Sequence, residues 1–189
     1  TVYKGLANNH FENASNYFKM PTGDRIKDMQ TLDINNDKKI DILLHLENGK
    51  ILIYQNMGDF IFANCNYELG ISMTDVFTFV KAIDVNNDGY SDLICQTGFQ
   101  QNNNLLLLIN QSGKTFKRDL LVKNADLKIK TADIADLNND GKMDLFLTFT
   151  GVSINGIFYN NLIFWNTGAG YALNERYSQL DILGDINTV

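Results

Sequence analysis

Short apolar segments recur along the chain at regular intervals, and turn residues separate them. Within each of three similar units a strand-like segment precedes a polar loop, an apolar run follows it, and a second apolar run ends in Asn. These segments lie at 25–32, 42–46 and 51–56, at 76–83, 93–95 and 105–110, and at 127–134, 145–149 and 162–166. A turn with Gly and an aromatic residue then starts a fourth segment. Runs of this length between Gly and Asn predict β-strands, so we expect an all-β chain with four short strands per unit.

The polar loops share one pattern, with oxygen side chains at positions 1, 3, 5 and 9. We call them loop 1 (33–41), loop 2 (84–92) and loop 3 (136–144). Ca²⁺ binds six to eight oxygens, and a short loop supplies them from alternate residues and from one backbone carbonyl. The candidate ligands are the side chains of Asp33, Asn35, Asp37, Asp41, Asp84, Asn86, Asp88, Asp92, Asp136, Asn138, Asp140 and Asp144, with the carbonyls of Lys39, Tyr90 and Lys142 at position 7. We therefore predict about three bound Ca²⁺.

Two other interpretations of the loops are weaker. An EF-hand closes with a Glu at position 12 and has helices on both sides. Position 12 is instead Leu44, Cys95 or Leu147, which cannot bind calcium, and apolar strand-like runs follow each loop. Asn-Asp-Gly clusters also form ordinary turns. Three copies of one ligand pattern favour a metal site over that interpretation.

The loops begin 51 and 52 residues apart, and a period of this size is typical of four-stranded propeller blades. Extra residues lie between the second and third strands of two units, at 100–104 and 152–156. We expect these insertions to lie on one rim of the fold.

Composition limits the function classes. A chain of 189 residues with 44% hydrophobic residues can bury a core. The net charge of −6 comes from Asp in the three loops, and the 16 Lys and Arg residues form no stripe, so we expect no nucleic acid partner. No run of 18 apolar residues occurs, so we expect no membrane span in this piece, and the first residues have no signal-peptide pattern. Because Thr1 is not an initiator Met, the sequence is expected to be processed, trimmed or part of a longer chain.

Other residues with reactive or modifiable side chains give little sign of catalysis. His10 and His45 are isolated, and no phosphate-binding loop, nucleophile elbow or His and Cys metal cluster occurs. We therefore expect no enzyme activity. Cys65 and Cys95 lie in different units and form either a disulfide or two buried thiols, with thiols favoured. Sequons begin at Asn13 and Asn110, and such triplets also arise by chance in a chain rich in Asn.

The chain resembles the FG-GAP or VCBS repeat family, which includes the blades of the integrin α-subunit propeller. The resemblance rests on the D-x-N-x-D-G-x-x-D loops and on the aromatic-Asn-Gly turn, and it covers nearly the whole sequence. It implies a β-propeller that usually has seven blades, with Ca²⁺ held by loop positions 1, 3, 5, 7 and 9. One departure is Lys38, where the family has Gly. We expect it to make loop 1 bind about tenfold more weakly than loop 3.

The other departure is the number of blades. Segment 2–11 resembles the turn around 54–60, so the chain is expected to begin in the last hairpin of a preceding blade. Segment 184–189 resembles the start of a new blade at 23–26. We therefore predict one fragment of a larger propeller over 1–189, with about three full blades and partial first and last blades. Further propeller chain or a partner subunit would cover its open edges.

Two functions fit these expectations. The first is a calcium-stabilised recognition scaffold, extracellular or lumenal, that binds a protein or mediates adhesion. The alternative is a carbohydrate-binding propeller or an accessory domain of a secreted glycan-processing enzyme. A sugar platform would need an aromatic residue at the same place on each blade. That place holds Tyr54, Ile109 and Trp165, so the sequence favours a protein partner.

Overall fold

A computed structural model describes residues 3–15, 17, 23–72, 74–98, 103–123, 128–154 and 157–174. A hairpin comes first and is followed by three antiparallel sheets of four strands each. The hairpin consists of β1 (Tyr3–Gly5) and β2 (Phe11–Asn13). Blade 1 contains β3 (Ile26–Leu32), β4 (Asp41–Leu46), β5 (Ile51–Gly58) and β6 (Ile61–Asn64). Blade 2 contains β7 (Phe77–Ile83), β8 (Asp92–Thr97), β9 (Leu105–Asn110) and β10 (Phe116–Val122). Blade 3 contains β11 (Lys128–Ala135), β12 (Asp144–Ile154), β13 (Ile157–Asn166) and β14 (Tyr171–Leu173).

The all-β, propeller-like architecture predicted from the sequence is confirmed. In each blade the strands pair in chain order, and the only helix among the described residues is a 3₁₀ turn at Ala7–Asn9. Strand β7 contacts both β3 and β11, so the first strands of successive blades are neighbours. The sheets do not close into a ring within the described residues. None of these residues forms a helix long and apolar enough to cross a membrane.

The described part of the insertion at 152–156 is paired with the next strand. Its first part continues β12 to Ile154 and pairs with β13, with Val152 opposite Tyr159 and Ile154 opposite Ile157. A register shift between Thr148 and Val152 accommodates the extra length. Residues 152–154 thus lengthen the strand pair, because they continue the antiparallel pairing with β13. The insertion at 100–104 lies mostly outside the described residues.

The incomplete first blade is confirmed as a two-stranded hairpin, in which Tyr3 pairs with Asn13 and Gly5 with Phe11. The partial last blade expected at 184–189 lies outside the described residues.

The core lies between blades, because each sheet buries side chains on both faces. In β4, Leu43 faces blade 2 in a cluster with Phe77 and Leu93, whereas the adjacent Leu44 belongs to a cluster with Tyr54 on the opposite face. A second junction cluster joins blades 2 and 3 and includes Val85, which is fully buried. Strands buried on both faces give continuous apolar runs instead of alternating ones. These junctions hold loops 1 and 2 against the next blade.

Candidate metal centres

The three polar loops join the first and second strands of their blades and have the same backbone shape. Position 4 is left-handed in each, with φ of 58°, 58° and 59° at Asn36, Asn87 and Asn139. Position 6 is left-handed as well, with φ of 65°, 86° and 83° at Lys38, Gly89 and Gly141. Asn tolerates this region and Gly is unstrained in it, whereas Lys carries a cost of about 1 kcal/mol or more. Loop 1 therefore keeps the shape of the other loops despite Lys38.

The Asp at position 1 closes each loop by accepting two backbone hydrogen bonds. Its Oδ1 accepts the N–H of position 5, at 3.2 Å in loop 1, 3.1 Å in loop 2 and 3.0 Å in loop 3. Its Oδ2 accepts the N–H of position 6, at 2.9, 2.8 and 2.8 Å. These bonds bring the side chains of Asp33, Asp84 and Asp136 into the centre of their loops.

The side chains at positions 3 and 5 lie beside position 1. The Oδ1 of Asn35, Asn86 and Asn138 accepts the same position 5 N–H, at 3.3, 3.1 and 2.9 Å. The Oδ1 of Asp37, Asp88 and Asp140 accepts the N–H of position 7 at 2.9 Å in every loop. The structure thus groups the predicted side chains of positions 1, 3 and 5 around one turn.

The Asp at position 9 is fully buried in all three loops and lies between two N–H donors. In loop 1, Asp41 Oδ2 accepts the N–H of Ile34 at 2.8 Å, and Oδ1 accepts the N–H of Asn56 at 2.7 Å. Burial raises the pKa of Asp41, and it raises the pKa of Asp92 to about 7, although both receive N–H bonds that favour the charged form. These carboxylates tie the loop to the following strands.

Lysines at position 7 add a positive charge to two of the loops. Lys39 Nζ lies 2.9 Å from Asp37 Oδ2, and Lys142 Nζ lies 3.2 Å from Asp140 Oδ2. The hydrogen bond from the Lys39 side chain is the main reason that the pKa of Asp37 is lowered. For Asp140 the backbone N–H of Lys142 lowers the pKa most. Loop 2 has Tyr90 at this position, so its Asp88 has no such neighbour within the loop.

The donor set of each loop fits a hard cation by its chemistry. Three carboxylates and an amide oxygen belong to one nine-residue loop, and each carboxylate offers about four lone-pair sites. The two N–H bonds to each position 1 and position 9 carboxylate therefore leave acceptor capacity for a metal. Among the residues that the structure describes, no three His, Cys, Asp or Glu side chains converge as a preformed ligand group. The position 5 carboxylates instead accept backbone N–H groups, and those of Asp37 and Asp140 also pair with lysines.

Sequence reasoning missed the role of the Asn at or near the end of the third strand of each blade. Its backbone N–H donates to the position 9 Asp, its Nδ2 donates to the carbonyl of position 8, and its Oδ1 accepts the N–H of the Gly in the next turn. The position 8 bonds measure 3.1 Å at Asn56, 3.1 Å at Asn110 and 3.2 Å at Asn166. The bonds from Gly58, Gly113 and Gly168 measure 3.0, 2.7 and 2.9 Å. The recurrence of this Asn was the signal that could have revealed it.

The remaining sequence candidates take structural roles. Cys65 and Cys95 are buried free thiols, so the preference for thiols is confirmed, and burial raises the pKa of Cys65 to about 12. His45 is 2% exposed and its Nε2 lies 2.9 Å from the carbonyl oxygen of Phe77 in the next blade. Of the two sequon asparagines, Asn13 is exposed and Asn110 is 1% exposed. The folded chain therefore presents only the first of these two for modification.

The comparison with protein families agrees with this geometry. The sequence pattern of the FG-GAP-like repeat matches residues 33–95 and again residues 84–147. Each match includes two consecutive loops, and together they cover more than half of the chain. The chain belongs to the FG-GAP-like repeat family. A comparison with curated proteins found no match. FG-GAP repeats generally take part in scaffolds for protein interaction and adhesion.

Proposed function

We propose that this FG-GAP repeat chain is a calcium-stabilised, non-enzymatic scaffold that binds a protein in an extracellular or lumenal compartment. One observation carries the proposal. The three loops repeat the same donors and the same closing hydrogen bonds, although their sequences differ at positions 6 and 7. An ordinary turn does not require carboxylates at both position 1 and position 5, nor a third, buried carboxylate at position 9. A hard cation would use all of these groups.

The role of calcium is to offset the charge that each loop concentrates. Two like charges 4 Å apart repel by about 1 kcal/mol in water, and by more near protein. The position 9 Asp is fully buried in all three loops, where an unneutralised charge is costly. The positions that would hold the ion are 1, 3, 5 and 9 through side chains and 7 through its carbonyl. When bound, Ca²⁺ supplies a fixed positive charge that stabilises the folded loop.

The proposed compartment follows from the affinity that such loops provide. Extracellular calcium modules bind with dissociation constants of about 10⁻⁴ to 10⁻³ M. Lysines beside Asp37 and Asp140 compete with a metal, which favours the weak end of the range. Calcium at that level would keep the loops filled outside the cell or in the secretory pathway.

A protein partner is favoured over a glycan because the aromatic residues do not form a repeated exposed platform. Tyr54 is 9% exposed and packs with Leu44 and Leu46. At the equivalent place in blade 2, Ile109 packs against the core between blades 2 and 3. A sugar platform would expose flat rings at these positions. A lectin-like function remains the alternative that the experiment below tests.

Apolar residues at the two ends of the array are exposed, whereas residues at the equivalent positions in the inner junctions are covered. This difference supports the need for further propeller chain or a partner subunit. At position 2, Ile34 and Val85 are 1% and 0% exposed, whereas Leu137 in blade 3 is 44% exposed. At the other end, Ile40 at position 8 of loop 1 is 57% exposed. Its counterpart Ser91 bonds to the preceding loop. Another blade would cover both ends in the same way.

The test compares two kinds of ligand under one condition. The immobilised chain is exposed to an extracellular protein extract and to a glycan array, each in 2 mM Ca²⁺ and again in EGTA, with Asp37→Ala/Asp88→Ala/Asp140→Ala as the loop-disabled control. The proposal expects a protein that is retained only by the calcium-loaded wild type. Glycan binding without protein binding would support the lectin-like alternative, and retention unchanged in EGTA would contradict a calcium-dependent scaffold.

A further inference from the structure

Loops 1 and 2 are in direct contact across the junction between blades 1 and 2. The backbone N–H of Ser91 donates to the carbonyl of Asp33 at 3.0 Å, and the N–H of Asp33 donates to Ser91 Oγ at 3.2 Å. Gly89 lies so close to loop 1 that a Cβ there would be 2.6 Å from Asn36 Nδ2. Position 8 of one loop is therefore hydrogen-bonded to position 1 of the other.

A second connection runs through buried groups from one position 9 carboxylate to the other. Asp92 Oδ1 accepts the backbone N–H of Asn110 at 2.7 Å, and Asn110 Nδ2 donates to the carbonyl of Ile34 at 2.7 Å. The N–H of Ile34 then donates to Asp41 Oδ2 at 2.8 Å. All four residues are at most 1% exposed. Such buried bonds are costly to break, so they join Asp92 firmly to Asp41.

The connection between loops 2 and 3 is looser. At the first junction the Asn110 side chain contacts the preceding loop directly, and here Tyr171 takes that place. The Tyr171 hydroxyl lies 3.0 Å from the carbonyl of Val85 and 2.9 Å from that of Met143. The link from Asn166 Nδ2 to this hydroxyl is long, at 3.5 Å. A cavity of about 260 Å³ also separates the two loops, with Asn86 and Lys142 on its wall.

We propose that loops 1 and 2 bind calcium as a coupled pair, with Asn110 and Ser91 as the positioning residues that join them. This inference rests on the calcium binding proposed above. Binding at one site alters the affinity of another only if the contacts between them differ between the two states. The position 9 carboxylates are both proposed ligands and the ends of the buried connection. Filling loop 2 fixes Asp92, and through Asn110 it fixes the backbone of loop 1 in its binding shape. Because such coupling is reciprocal, filling either loop raises the calcium affinity of the other by the same factor.

The test is a calcium titration of the full ¹⁵N-labelled chain that follows each loop separately. The amides of Lys38, Gly89 and Gly141 donate to the position 1 Asp of their own loops, so each reports one site. Asp88→Ala disables loop 2 and changes an exposed residue. We expect it to weaken calcium binding at loop 1 by about fivefold or more, the lower end of typical coupling. Asp140→Ala, which disables loop 3 in the same way, should change the calcium affinity of loop 1 by less than that factor.

A double-mutant cycle tests the assigned residues. Asp88→Ala is introduced into the Asn110→Ala chain and, separately, into the Ser91→Ala chain. In each of these backgrounds it should lower the calcium affinity of loop 1 by a smaller factor than it does in the wild type. If all three amides respond to calcium and Asp88→Ala leaves loop 1 unchanged, coupling is wrong while calcium binding stands. If Asp140→Ala weakens loop 1 as much as Asp88→Ala, the effect is not local to this junction and the inference fails. If no amide responds, calcium binding itself is wrong.

Discussion

Asn56 donates its backbone N–H to Oδ1 of the buried Asp41 at 2.7 Å, which joins the end of a strand to the end of loop 1. The same bond joins Asn110 to Asp92 at 2.7 Å and Asn166 to Asp144 at 2.9 Å. The position 9 carboxylate therefore has a structural role besides its proposed role as a ligand. It holds two backbone N–H groups that would otherwise be buried without an acceptor.

We predict that Asp144→Ala lowers the free energy of unfolding by roughly 2–5 kcal/mol even without calcium. The N–H groups of Leu137 and Asn166 lose their acceptor, and each unsatisfied group costs about 1–3 kcal/mol. Asp140→Ala is the matched control in the same loop. Because Asp140 is exposed, its loss should cost much less than the loss of Asp144. Denaturant unfolding in EGTA measures both, and equal losses would show that position 9 has no special structural role.

We predict that Arg118→Ala destabilises the chain by about 1–3 kcal/mol. Arg118 forms two hydrogen bonds to Asp75, one of them from Nη1 to Oδ1 at 3.2 Å, and Asp75 is 7% exposed. Removing the guanidinium leaves a largely buried carboxylate without its cation, although the partly exposed Arg side chain limits the loss.

The adjacent Lys117 provides the control for Arg118. It pairs with Asp119 at 2.9 Å, and the two side chains are 63% and 36% exposed to solvent. Lys117→Ala removes the same charge from the same strand and should cost less than about 1 kcal/mol. Chemical denaturation of the two variants decides the matter. If Lys117→Ala were as costly as Arg118→Ala, net charge and not the buried pair would be responsible.

We predict that His45 makes the fold less stable in mild acid. Burial lowers the pKa of His45 in the folded chain, with a further decrease from Lys27, while the Phe77 carbonyl and Asp28 oppose it. The unfolded chain, with a pKa near 6.5, then binds the proton more readily. The contribution of neutral His45 to the free energy of unfolding is therefore fully present above about pH 6.5. It is lost as pH falls below that value, by at most about 1.4 kcal/mol per pH unit.

His45→Gln keeps a donor for the Phe77 carbonyl and removes the titration, so it should flatten the decrease in stability between pH 7.5 and 5. His10→Gln changes the exposed histidine and should leave the decrease as it is in the wild type. Denaturant midpoints measured across this pH range compare the three proteins. A decrease of equal size in His45→Gln would mean that other groups cause it.

Much of the fold could be predicted because turn residues bound most of the apolar runs. Gly49 and the Asn of each third strand bound the apolar runs, and β9 was predicted residue for residue. The extension of β12 to Ile154 could not be predicted, because 152–156 contains turn residues and its pairing depends on the partner strand. The link from Asn110 to Ile34 joins residues 76 positions apart, and no local pattern indicates it.

We predict that Lys38→Gly stabilises the fold by about 1 kcal/mol. The φ of 65° at Lys38 belongs to the folded loop, and its backbone strain therefore reduces folding stability. Removing the positive charge should separately tighten loop 1. Lys38→Gln removes the charge and keeps the strained backbone. It should therefore tighten calcium binding as much as Lys38→Gly does without the gain in stability. If only Lys38→Gly tightens loop 1, backbone strain and not charge limits the site.

The most direct test of the account is thermal unfolding with and without calcium. A ligand that binds only the folded state at 100 times its dissociation constant adds about 2.7 kcal/mol per site. For a chain of this length, 1 kcal/mol raises Tm by roughly 2–4 °C. We therefore predict that 10 mM Ca²⁺ raises the Tm by about 5 °C or more over EGTA. The rise should disappear in Asp37→Ala/Asp88→Ala/Asp140→Ala. The same Tm in calcium and in EGTA would show that the three loops are ordinary turns.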